Sequence, residues 1–150
     1  MIASRKRMVP LLAVTVGAVL SSCAVPAKDD RDYAAKAGHS AQVMIGIVQT
    51  ARYAAGLRLD GRLPEPTADT VVSTAEQDAQ SVITSFDSRQ PPGTESDKRR
   101  QAVDQPLQDA GSRLTDLRVA LRMGDRTQVR QLVSQLARTA DALQPFTGQS

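Results

Sequence analysis

At 150 residues the chain has room for one domain with one core and not for two. One His, one Cys and three Glu leave too little material for a haem held by paired histidines, a carboxylate-bridged di-iron centre or a disulfide framework. Nineteen Lys plus Arg against sixteen Asp plus Glu give a net charge of +3, and where that excess sits decides what it means.

It sits at the amino end. Arg5-Lys6-Arg7 precede a thirteen-residue apolar run from Met8 to Leu20, the charge and length pattern of a signal peptide and too short for a comfortable membrane span. The run closes on Leu20-Ser21-Ser22-Cys23, which resembles the lipobox of bacterial lipoproteins. A thiol is the side chain best suited to attack a lipid donor near neutral pH. The small Ser21 and Ser22 suit the cleft of a peptidase cutting between Ser22 and Cys23. The resemblance implies that residues 1–22 are removed and that Cys23 becomes a lipidated amino terminus carrying a covalent diacylglycerol. It places the protein on the extracytoplasmic face of the cell membrane, with residues 23–29 as a tether. Subtracting Arg5, Lys6 and Arg7 from the nineteen cations leaves sixteen against sixteen acids, so the basic balance gives no support to a nucleic-acid partner.

Beyond the tether, apolar residues recur at alternating steps of four and three. Ala37, Ala41, Met44, Val48, Ala51 and Ala55 form one such stripe, and Ala68, Val72, Ala75, Ala79, Val82 and Phe86 a second. Val103, Leu107, Ala110, Leu114, Leu117 and Leu121 form the third, and Val129, Leu132, Leu136, Ala140 and Leu143 the fourth. Spacing near 3.5 residues predicts helices that pack along one narrow seam. The expected fold is all-α, an antiparallel up-down four-helix bundle over residues 30–146 preceded by a cleaved lipoprotein signal peptide. Its helices are expected near 30–59, 68–88, 95–123 and 126–145, and residues 147–150 as a disordered tail.

Turn chemistry divides the stripes at the same places. Asp29 or Asp30 suits the first amino-terminal cap, and Asp60-Gly61 with Pro64 and Pro66 opens a loop before Thr67 or Asp69 as the next cap. Gln90-Pro91-Pro92-Gly93 breaks the chain again, and Thr94 opens the third helix. Gly124 fits a left-handed carboxyl cap, with Asp125 and Gln128 as a capping box for the fourth. Pro106 falls inside the third stripe and is expected to kink that helix; the alternative is a later start capped by Asp104.

The body shows no catalytic constellation. His39 points away from its stripe, Cys23 is taken by lipid, and none of the four seams carries a charge. One surface pattern stands out: Arg118, Arg122, Arg126 and Arg130 recur every four residues through the third turn. In an up-down bundle Arg58 and Arg62 lie at the same end, far from the lipid. Arg126 and Arg130 gain nothing from the positive start of their helix, so the six are a candidate patch for an anionic partner, an envelope protein or a cell-wall polymer. The expected function is a non-enzymatic, membrane-anchored interaction or accessory module of the cell envelope without cofactors. The alternative is a sensor or carrier that binds a small ligand between the helices, in a cavity left by the Ala-rich seams.

Overall fold

The computed structural model describes residues 27–148; residues 1–26, on which the expected signal segment with Ser22 and Cys23 falls, and the last two residues lie outside it. The described chain forms α1 (Asp30–Leu59), α2 (Glu65–Asp87), α3 (Thr94–Met123) and α4 (Arg126–Leu143), followed by a 3-10 turn at Gln144–Phe146. Short connections force each helix antiparallel to the one before it. α1 packs against α2, α4 and, across the bundle, α3. One end of the bundle therefore holds the start of α1, the α2–α3 loop and the end of α4; we call it the lower end. The upper end holds the α1–α2 and α3–α4 turns.

Every stripe residue expected inside is buried except Val82, which is half-buried beside a buried Ile83. The exchange has a visible cause: a Cβ placed on Gly111 of α3 would come within 2.8 Å of Ile83 Cδ1, so the missing side chain makes the space that Ile83 fills. The stripe of α1 also begins one turn earlier than expected, at Tyr33, which with Phe86 is among the largest fully buried side chains.

Local chemistry explains the boundaries. Asp29 caps α1, its side chain accepting from the Asp32 amide, and Asp125 caps α4 in the same way through Gln128. Gly124 takes φ 68°, the left-handed conformation that closes α3. α2 starts at Glu65, three residues before the expected Ala68, and neither Thr67 nor Asp69 caps it. Pro66 sits in the first turn, where its missing amide donor costs nothing, so the proline extends the helix instead of delaying it. α3 likewise runs unbroken through Pro106, which removes Asp104 as a starting cap. α4 tightens into a 3-10 turn at Pro145, and Thr147 folds back on the Gln144 carbonyl, so the ordered chain reaches into the segment expected as tail.

Two close approaches tie the lower end together. A Cβ on Gly38 would lie 2.7 Å from the Phe146 carbonyl oxygen, so glycine there lets the carboxyl-terminal turn lie against α1. Arg89, just after α2, donates to Ser40 Oγ at 2.9 Å and Ser85 Oγ at 3.1 Å, while Arg100 of α3 donates to the Arg89 and Asp87 carbonyls. The Pro91-Pro92 loop is thus strapped to three helices. None of the described helices is long and apolar enough to cross a membrane.

Candidate functional site

The upper end does gather the arginines, and most of them already have work inside the fold. Arg118 forms an ion pair with Glu76 of α2, whose carboxylate also accepts from Thr115 Oγ1 at 2.7 Å. One turn on, Arg122 grips Asp69 with Nε at 2.7 Å from Oδ1 and Nη2 at 3.0 Å from Oδ2. Hydrogen bonding from Arg118 holds the Glu76 carboxyl below its ordinary value, and Arg122 does the same to Asp69. Asp69 in turn raises the affinity of Arg122 for its proton. Arg58 reaches Glu65 at 3.5 Å, and Arg126 donates to the Leu59 carbonyl across the α1–α4 boundary. Arg62 and Arg130 are exposed, and their guanidinium groups have no hydrogen bond or ion pair among the described residues.

The pairing follows from position on the helices. Asp69 and Glu76 lie one heptad apart on the flank of the α2 seam, facing the Arg118–Arg122 step on α3, so acid and base meet where the helices touch. The sequence contained both halves; what it lacked was the register of α2 against α3. Asp69, expected as a cap, is instead a partner for Arg122.

A second surface carries the opposite character. Residues 37–57 of α1 contain a single formal charge, Arg52, against eleven on α3 over residues 94–123. Arg52 turns away to donate to the Val133 carbonyl of α4. Between α1 and α2 this leaves a groove of about 490 Å³, floored by Val43, Ile47, Val71 and Ala75 and edged by Gln42, Thr50, Thr70, Thr74 and Asp78. At Val43 it continues downward into a cleft of about 240 Å³ lined by His39, Val82 and Ser85, with Arg89 at its foot. Both lie outside the core. The Ala-rich seam itself is closed: Ala41, Ala51, Ala55 and Ala79 have no exposed surface.

Chemistry has little to work with here. Among the described residues no group of three His, Cys, Asp or Glu is placed to hold a metal ion. His39 is exposed at the edge of the lower cleft. The buried hydroxyls of Ser40 and Thr139 back-bond to carbonyls of their own helices, and Ser96 donates to Asp30. The first two are satisfied within their own helices, and the third ties the start of α3 to the start of α1. No family model, curated protein or solved structure matches this chain.

Proposed function

We propose that the chain is a lipid-anchored, non-enzymatic interaction module of the cell envelope, a four-helix bundle held at the membrane by Cys23. One observation supports it most. Ala27 packs against the core and Lys28 donates its amide to Asp32, so the bundle reaches to within four residues of the lipobox cysteine. Only residues 24–26 then link Cys23 to the bundle, at most about 10 Å when extended at roughly 3.4 Å per residue. A diacylglyceryl anchor there holds the lower end against the headgroups. α1, with 30 residues rising about 1.5 Å each, carries the upper end some 45 Å away.

The side chains support an interaction role over catalysis. Ion pairs hold helices to one another, and the clefts beside α1 face outward. Of the upper arginines, Arg62 and Arg130 remain free for an anionic envelope protein or wall polymer, while Arg58, Arg118, Arg122 and Arg126 serve the bundle first. The small-ligand alternative is less favoured, because the seam that would line an internal cavity is packed shut.

The anchor is tested by metabolic labelling with an alkyne fatty acid. The native chain takes up label and sediments with membranes, and Cys23→Ala does neither. Label in the alanine variant, or an unlabelled native chain, overturns the reading.

A further inference from the structure

The groove between α1 and α2, about 490 Å³, is a surface that the fold leaves uncommitted, and its floor is uniformly aliphatic. Asp78 is the single formal charge in its lining and has no hydrogen bond or ion pair among the described residues. Thr50 and Thr70 direct their hydroxyl protons to the Gly46 and Pro66 carbonyls, at 2.9 and 2.8 Å, so what they turn outward is lone pairs. The floor is aliphatic, and Val43 is 37% exposed on it. An apolar trough whose rim carries one unneutralised carboxylate complements an occupant that is apolar and positive at one point.

Helical geometry narrows the occupant further. Every wall of the groove is helix, with backbone donors and acceptors paired internally, so it has no strand edge on which an extended peptide could satisfy its own amides. A polyproline segment needs aromatic slots, and no aromatic residue lines the groove. A helix arrives with its backbone already satisfied and lays an apolar stripe between two others at about 8–10 Å from each. From Gln42 to Thr50 the groove runs along nine residues of α1, about 13 Å or two and a half helical turns.

We infer that the α1–α2 groove is the docking site for an amphipathic helix of another protein, bearing a Lys or Arg that pairs with Asp78. This deepens the interaction-module reading and rests on it. The depletion of charge on α1 against its crowding on α3 fits that assignment: the interior of a docking patch is where charge is depleted, and one retained charge fixes register.

The test is photo-cross-linking of the full, lipidated chain in the envelope where it is made, with benzoylphenylalanine in turn at Val43, Val71, Ser112 and Met123. Val43 and Val71 are expected to give one protein adduct that Ser112, exposed in the separate α2–α3 cleft, does not. Mass spectrometry of that adduct should locate the cross-link in an amphipathic helix with a basic residue. Asp78→Lys should cut the adduct at least tenfold, and reversing the partner's basic residue to Glu should restore it. Four outcomes overturn the proposal: no groove adduct above the Ser112 level, an adduct indifferent to Asp78→Lys, a cross-link to a second copy of this chain, or one to lipid or a small molecule. Adducts from Met123 at the upper end without any from the groove defeat the groove assignment and leave the interaction module standing. Silence at all four positions defeats both.

Discussion

Arg122 of α3 holds Asp69 of α2 through two parallel hydrogen bonds, Nε to Oδ1 at 2.7 Å and Nη2 to Oδ2 at 3.0 Å. Residues 53 positions apart in sequence are thus fixed in register at the upper end of the bundle, one turn above the partly buried pair of Arg118 with Glu76. A planar guanidinium meeting a carboxylate edge to edge sets orientation as well as distance, which a lysine at either position would not do.

The first prediction concerns acid. Both carboxyls are held below their ordinary values of 4.5 for Glu76 and 3.8 for Asp69, so each contributes stability that is complete above those values and is lost as pH falls through the lower, folded ones. The melting temperature, followed by circular dichroism, should stay level through neutral pH and begin to fall as pH approaches the ordinary carboxylate range. In Glu76→Gln the fall should be shallower and the neutral-pH stability lower by about 1–2 kcal/mol, the cost of breaking an ion pair and weakening the Thr115 bond.

Tyr33 yields a gain instead of a loss. Its ring is fully buried, and its hydroxyl has no partner among the described residues, an arrangement that leaves a polar atom desolvated. The same burial pushes its ionisation up. Tyr33→Phe keeps the ring and removes the orphan oxygen, so chemical denaturation should show the variant more stable by about 1 kcal/mol.

Two glycines of α1 separate close packing from helix propensity. A Cβ at Gly38 meets the Phe146 carbonyl at 2.7 Å, whereas a Cβ at Gly56 meets nothing within 4 Å. Gly38→Ala should destabilise the fold by about 1–3 kcal/mol and release the carboxyl-terminal turn to faster amide exchange. Gly56→Ala should stabilise it by about 0.5–1 kcal/mol, because alanine loses less backbone freedom in a helix. Equal effects from the two would show that Phe146 is not seated where the structure puts it.

Core density gives a further check. Leu114 has no exposed surface, and Leu114→Ala should cost about 2–5 kcal/mol in denaturant unfolding through the cavity it leaves.

Helix count, order and nearly all core positions were legible because a stripe is a one-dimensional property: the step between Leu107, Ala110 and Leu114 is written along the chain. Ile83 was not, since its burial depends on Gly111 in another helix giving up its side chain. The start of α2 was hidden by reading Pro66 as a break, when a proline in a first turn is a beginning. At the upper end the six arginines were visible, but Asp69 and Glu76 as partners of Arg122 and Arg118 were not, because the offset of α2 against α3 is set by side-chain packing and not by period. The α1–α2 groove had a signal in plain sight: Arg52 stands alone among the charges of residues 37–57, a depletion that seam analysis passes over because it concerns the opposite face.

The anchor remains the hinge of the functional account, since an orientation with the lower end at the headgroups and the groove facing sideways follows from it. Intact-mass spectrometry of the protein purified from its own membranes tests it most directly. The account predicts a chain beginning at Cys23 whose mass exceeds that of residues 23–150 by a diacylglyceryl group, with the modification mapped to the amino-terminal peptide. A chain that begins elsewhere, or one that begins at Cys23 with an unmodified thiol, would contradict it.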